Sequence, residues 1–232
     1  MKLVIMQPYL FPYLGYWQMI ASADTFVLYD DVNYIKNGWI NRNNLLLNGS
    51  AHLFTLALNK ASPFKKINET FIKSDESNRN RVLAFIRNSY LKAPYFEMVF
   101  PLVEEIISYP ENNLALYLEN HFCKMCDFLE IKTKTLVSSR IQKNCHLHAQ
   151  EKVLNICQNL GATQYINAIG GQELYNKEVF AQQGIQLNFI KMRLCPYLQF
   201  KNNFVPNLSI IDVLMFNDKA SVLSLLNEYD LV

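Results

Sequence analysis

The chain has 232 residues, 50% of them hydrophobic and 18% charged, which supplies a substantial core and excludes a disordered polypeptide. With 22 Lys and Arg against 20 Asp and Glu the formal net charge is +2, so no broad basic face is available for nucleic acid and none is expected as a partner, although a tRNA-borne donor stays open. No stretch approaches the roughly 20 apolar residues of a membrane span, and the apolar start is cut short by Gln7-Pro8. No membrane insertion is therefore expected, a cytoplasmic location is, and the five cysteines read as reduced thiols.

Residues 3–6 form a short apolar run of the kind a buried parallel strand shows. A helix is expected over residues 14–23, and residues 25–29 make a second strand ended by Asp30-Asp31. Strand, loop, helix and strand form a βαβ unit, which directs a ligand to the strand C-termini, where residues 7–16 and 30–44 begin. Asn48-Gly49 between two apolar runs signals a two-residue hairpin. Helical spacing returns with Val82, Phe85, Ile86 and Tyr90, continues across residues 95–107, and recurs in Leu114, Leu118, Phe122 and Met125. A helical insertion over about residues 77–130 follows from that spacing. Residues 133–137 read as a strand and 148–160 as a helix closed by Gly161. A strand at 165–166, a Gly170-Gly171 turn, a short helix over 177–182 and a strand over 185–190 restore the alternation, and one or two helices fill 208–226. The expected fold is a single α/β domain over residues 1–232, a Rossmann-like parallel sheet carrying that insertion.

The first chemical constellation is Gln7, Tyr9, Tyr13, Gly15 and Tyr16. Pro8 and Pro12 stiffen this loop, and Gly15 permits close backbone approach where a helix begins with free N–H groups, an arrangement suited to phosphate or carboxylate. The spacing Tyr13-x-Gly15-Tyr16 resembles the His-x-Gly-His signature of nucleotidylyltransferase-like folds, with phenols in place of both imidazoles. A phenol donates a hydrogen bond but supplies no cation near neutral pH. In the second constellation Asp30 and Asp31 suit Mg²⁺ or acid–base work, Lys36 and Arg42 suit phosphate, Trp39 offers a stacking face, and Asn33 and Asn41 suit hydroxyl recognition.

A third constellation joins Tyr165 and Gly170-Gly171 to Tyr197 and Gln199, with Ser209 and Asp212 read as a capping box on the last helical stretch. Cys123-x2-Cys126 and Cys145-x2-His148 have zinc-like spacing, but the first pair falls inside an apolar helix, so free thiols rather than zinc are expected. Val137-Ser138-Ser139-Arg140 is similar to a second phosphate-binding motif of nucleotidylyltransferase-like ligases.

Four blocks together, Gln7 to Tyr16, Thr25-Phe-Val-Leu-Tyr-Asp-Asp31, Lys36-Asn-Gly-Trp-Ile-Asn-Arg-Asn43 and Phe204-Val-Pro-Asn-Leu-Ser-Ile-Ile-Asp212, resemble the WbqC-like family from Met1 to about Asn217. The chain departs from that family's pattern at Asn167-Ala168-Ile169, where Ser-Gly-Pro is usual, and at Phe216-Asn217-Asp218, where a glycine usually follows the helix. The resemblance implies a place among O-antigen and other surface-polysaccharide biosynthesis proteins. It further implies an enzyme that N-acylates or N-aminoacylates, with glycine as one candidate, the amine of a nucleotide-linked amino sugar; the donor is open between ATP activation, with ATP and Mg²⁺ as candidate cofactors, a thioester and an aminoacyl-tRNA. In that reading Asp30, Asp31 and Tyr16 are catalytic, while Gln7, Tyr9, Tyr13, Gly15, Asn33, Lys36, Trp39, Asn41, Arg42, Tyr165, Tyr197 and Gln199 bind substrate. A non-catalytic sugar-nucleotide or glycan-binding module is the alternative, a nucleotidylyltransferase the second, and a homodimer is open as the assembly.

Overall fold

A computed structural model describes residues 1–201 and 203–232. Its centre is β1 (Lys2–Met6), whose Val4 enters one hydrophobic core while Leu3 and Ile5 enter another. A strand covered on both faces reads as an unbroken apolar run, which is why residues 3–6 carry no polar alternation. β1 pairs in parallel with β2 (Thr25–Leu28), and β2 with β7 (Lys134–Val137). On its other side β1 pairs with β8 (Gln164–Ala168) and β8 with β9 (Gln186–Met192), again in parallel, before β10 (Tyr229–Leu231) closes the edge antiparallel to β9. The sheet therefore runs β10-β9-β8-β1-β2-β7. Counted along the chain, its parallel strands lie in the order 3-2-1-4-5, so the order reverses between β1 and β8.

Six helices share the core that Val4 enters: α1 (Leu14–Ala21), α2 (Glu76–Tyr90), α3 (Phe96–Ser108), α4 (Leu114–Phe128), and, late in the chain, α7 (Ile210–Phe216) and α8 (Lys219–Leu225). The opposite face is covered by α5 (Ala149–Asn159) and α6 (Lys177–Gln182). Helices α2 to α4 occupy the stretch whose spacing predicts an insertion, and their apolar stripes join the same core as α1. Among the described residues, no helix is long and apolar enough to cross a membrane.

The hairpin centred on Asn48-Gly49 is formed by β3 (Arg42–Leu47) and β4 (Ser50–Thr55), with Asn48 and Gly49 both at positive φ. Arg42, Asn43 and Asn44 thus stand in a strand where the sequence predicts a loop. A two-residue pairing of β5 (Leu58–Asn59) with β6 (Phe71–Ile72) is also unannounced by the sequence, since strands so short leave no period to read. In place of a Gly170-Gly171 turn, residues 169–174 wind into a 3₁₀ helix.

The Ser209 and Asp212 capping box forms only by half. Ser209 Oγ accepts from Ile211 N at 3.3 Å, but Ser209 N donates to Asn44 O, and the Asp212 carboxylate turns inward. There it accepts from Tyr90 OH at 2.8 Å and from Tyr197 OH and Gln199 Nε2 at 2.6 Å each. Burial pushes the Asp212 pKa upward although these three donors oppose the shift.

Candidate functional site

The loop leaving β1 and the 3₁₀ helix leaving β8 diverge at the point where strand order reverses, and a cleft of about 480 Å³ opens beside them. Open α/β sheets bind ligands at such a switch point, outside the strand C-termini. Tyr9 and Tyr13 contribute from the β1 loop, Gly15 from the first turn of α1, Trp39 and Asn43 from the segment before and within β3, Ile169 and Gly170 from beyond β8, and Lys191 from the end of β9. The volume lies within the range of small-molecule sites, and the walls are chiefly aromatic and aliphatic.

Local geometry explains the shape. Phe11 sits at φ 45°, unusual for a bulky residue, and its N–H donates to His121 Nε2 of α4 at 3.3 Å. Asn43 Nδ2 donates to the Leu10 and Phe11 carbonyls, and Ser209 Oγ donates to the Phe11 carbonyl at 2.8 Å. Three separate segments thus hold the bend that presents Tyr9 and Tyr13. His121 is fully buried against Phe11, Trp17 and Phe122, and desolvation lowers its pKa to about 3, so it stays neutral and keeps an acceptor for Phe11.

Gly15 works differently from the anion cradle expected of it. A Cβ there would stand 2.5 Å from Tyr13 Cε2, because the Tyr13 ring packs against the start of α1. The glycine seats an aromatic wall. Burial raises the pKa of Tyr13, and burial together with the neighbouring Tyr13 raises that of Tyr9, so both phenols remain neutral hydrogen-bonding groups at physiological pH.

Trp39 is 44% exposed at the cleft, and Arg42 stabilises it from outside. The guanidinium sits 6.0 Å from the indole centroid, donates from Nε to Gly38 O at 2.8 Å, and from its Nη2 to Asn37 O. Arg42 is thereby committed to its own loop. Lys191 lies in the lining and makes no ion pair among the described residues, since Asp230, paired with it across β9 and β10, is taken by Arg193.

The remaining expected residues lie elsewhere. Tyr16 is fully buried, packed against Phe26 and Phe122, and donates its hydroxyl to Gln7 O at 2.7 Å, so the catalytic role expected of it lacks access to the cleft. Asp30 is buried as a clamp: its carboxylate accepts from Ser139 N and Oγ at 2.8 and 2.6 Å and from Asn68 Nδ2 at 3.3 Å. The same bonds remove Ser139 from phosphate binding, and Arg140 is taken by a bidentate pair with Glu119. Asp31 is held by Lys143 and Lys152 at 3.1 Å each. Burial raises its pKa, but the Ser138 hydroxyl beside it and the two ammonium groups outweigh burial and hold it below the usual carboxylate value, the opposite of what a base for an amine needs.

Asn41 is buried between Tyr34 OH and Leu56 O. Tyr165 lies in the opposite core, stacked on Phe180, with its hydroxyl receiving Asn167 Nδ2 at 2.6 Å. Gln199 is buried on Asp212 and Val205, while Tyr197 borders a small crevice that shares Tyr13 and Asn207 with the main cleft. Gln7 is half-buried outside the cleft, and Lys36 is exposed away from it. Asn33 lines a separate cleft with Asp31. Cys126 and Cys157 are buried, Cys123 and Cys145 exposed, and all five cysteines are free.

A family model described as the WbqC-like protein family matches residues 7–223. The chain belongs to the WbqC-like protein family. This WbqC-like protein is also 27% identical over 218 residues to the uncharacterized protein Rv1507c of Mycobacterium tuberculosis, covering 93% of each chain. No solved structure matches it. The family match starts at Gln7 and takes in the aromatic loop, Trp39, Lys191 and Asn207, so every wall of the switch-point cleft lies inside it.

The residues of the cleft do not fit a protein-held magnesium ion or an open phosphate cradle. No carboxylate or imidazole lines it among the described residues, and the Tyr13 ring covers the backbone at Gly15.

Proposed function

We propose that this WbqC-like protein binds a nucleotide-linked amino sugar of surface-polysaccharide biosynthesis in the switch-point cleft, and that acylation or aminoacylation of the sugar's amine is the reaction it serves. The observation that carries this reading is the cleft itself: Tyr9, Tyr13 and Trp39 line about 480 Å³, with Lys191, which makes no ion pair among the described residues, also in the lining. Rings stack on a nucleobase or the apolar face of a sugar, neutral phenols donate to hydroxyl or phosphate oxygens, and a single lysine suits the diphosphate of a sugar nucleotide. The strand order and its reversal beside β1 support a Rossmann-like, nucleotidylyltransferase-type reading of the fold.

A specific observation favours a second reading, a non-catalytic sugar-nucleotide-binding module. The phenols lining the cleft, Tyr9 and Tyr13, are held neutral by burial, so neither is a base ready to take a proton from an amine at neutral pH, and no carboxylate or imidazole lines the cleft among the described residues. Incubating the protein with a dTDP-4-amino sugar and glycine, supplying ATP in one arm and an acyl thioester or aminoacyl-tRNA in others, separates the two. A sugar heavier by one acyl group in any arm supports the enzyme. Saturable binding without product in all arms supports the module, and absence of binding removes both.

A further inference from the structure

A second cleft, of about 310 Å³, opens at the C-terminal end of β2, between residues 29–33, Lys66 and the start of α5. We infer that it is a site for a phosphoryl group, separate from the switch-point cleft and independent of the ligand assigned there. The argument is charge balance in a buried place. Lys143 and Lys152 both reach Asp31 Oδ2 at 3.1 Å, and their side chains are 3% and 11% exposed against 12% for Asp31. Asp31 thus meets two ammonium groups with a single charge, while the other buried carboxylate nearby, Asp30, is turned to Ser139 and Asn68 and lies outside the cleft lining.

Lys143 spends its other hydrogen bonds inward, on the Ser138 and Ile141 carbonyls. Lys152 donates to Asp31 O at 3.2 Å, sits 5.1 Å over the Tyr29 ring and lines the cleft. Lys66 adds a third ammonium at the rim and makes no ion pair among the described residues. The start of α5 adds to the same sign: His148 and Ala149 line the cleft, and the His148 side chain makes no cap bond to the first-turn amides. Glu151 of that first turn is exposed and lies outside the lining.

Within the lining Lys152 and Lys66 stand against Asp31, Lys143 shares that same carboxylate from behind, and the start of α5 adds to the positive side, so the cleft carries a positive excess that a phosphoryl group, with more charge than a carboxylate, answers better. A phosphate ester, a pyrophosphate and free phosphate share that chemistry.

Calorimetric titration of the full chain in phosphate-free buffer at fixed ionic strength tests the assignment. Inorganic phosphate and pyrophosphate are expected to bind saturably and acetate is not. Lys152→Gln should abolish binding. Lys66→Ala, an exposed change that leaves the core intact, should weaken it at least fivefold, and Lys36→Ala, a lysine outside both clefts, should not. Adenosine monophosphate binding tighter than phosphate identifies a nucleotide as the carrier; equal or weaker binding identifies a free phosphoryl species. Phosphate that fails to saturate at tens of millimolar, acetate that binds equally well, or equal losses from Lys36→Ala and Lys66→Ala overturns the inference.

Discussion

His121 gives the sharpest energetic prediction, because the only access to its titration is through the fold. In the folded chain its pKa is held near 3 by complete burial, against an ordinary 6.5 in the unfolded chain. Between those values the unfolded state binds a proton that the native state refuses, so stability is full above pH 6.5 and falls as pH falls toward 3. The slope is about 1.4 kcal/mol per pH unit, so descent from pH 6.5 to 5 removes about 2 kcal/mol from this one residue. That is a sizeable share of a stability usually near 5–15 kcal/mol. The assay is urea unfolding at several pH values for wild type and His121→Gln, whose amide oxygen preserves an acceptor for Phe11 N–H without titrating. The exposed His52, His146 and His148 are common to both proteins and cancel in the difference. Wild type should lose about 2 kcal/mol more than the variant over that interval. Parallel curves, or an NMR titration of the His121 ring with a midpoint near 6.5, would refute the reasoning; the NMR measurement stands even if the variant folds poorly.

Three further outcomes follow from the site. Gly15→Ala should still fold cooperatively, since the helix preference of alanine, at most about 1 kcal/mol, offsets part of the cost of moving the Tyr13 ring. It should nevertheless weaken sugar-nucleotide binding severalfold by displacing the Tyr13 ring, and calorimetry showing unchanged affinity would contradict the wall assigned to Tyr13. Asp30→Ala should destabilise by about 2–4 kcal/mol in denaturant unfolding, because Ser139 N and Asn68 Nδ2 lose a buried charged acceptor; a change below about 0.5 kcal/mol would argue against the clamp. Tyr16→Phe should cost about 1 kcal/mol of stability through the lost bond to Gln7 O and leave ligand affinity intact, whereas lost affinity at full stability would return Tyr16 to the site.

The parallel strands were legible because burial on both faces writes a continuous apolar run, as in Leu3, Val4 and Ile5. Helices α2 to α4 were legible through stripes such as Val82, Ile86 and Tyr90. β10 was not: Tyr229-Asp230-Leu231 is short, bears a charge, and becomes a strand only through pairing with β9.

At the site, the two loops after β1 and β2 were readable as the ligand-facing edge, but the direction of each side chain was not. Tyr13 and Tyr16, three residues apart, go to cleft wall and core. Asp30 and Asp31, adjacent in sequence, go to a hydrogen-bonded clamp and an ion cluster. A phenol or carboxylate that satisfies buried backbone looks the same in sequence as one that meets substrate. Lys191 was missed although a signal existed: it follows directly on the strand predicted over residues 185–190, at the sheet edge where ligands bind. Asn207 and Asn43 reach the cleft only through the tertiary meeting of β3, the β1 loop and the approach to α7.

The central claim, a nucleotide-linked amino sugar against the aromatic walls of the switch-point cleft, meets its most direct test in tryptophan fluorescence. The chain has two tryptophans; Trp17 is fully buried and Trp39 stands at the cleft. Titration with a dTDP-4-amino sugar should quench emission saturably, and Trp39→Phe should abolish the quenching while the variant still melts cooperatively. Emission unchanged at saturating ligand, or quenching that persists in Trp39→Phe, would contradict the account.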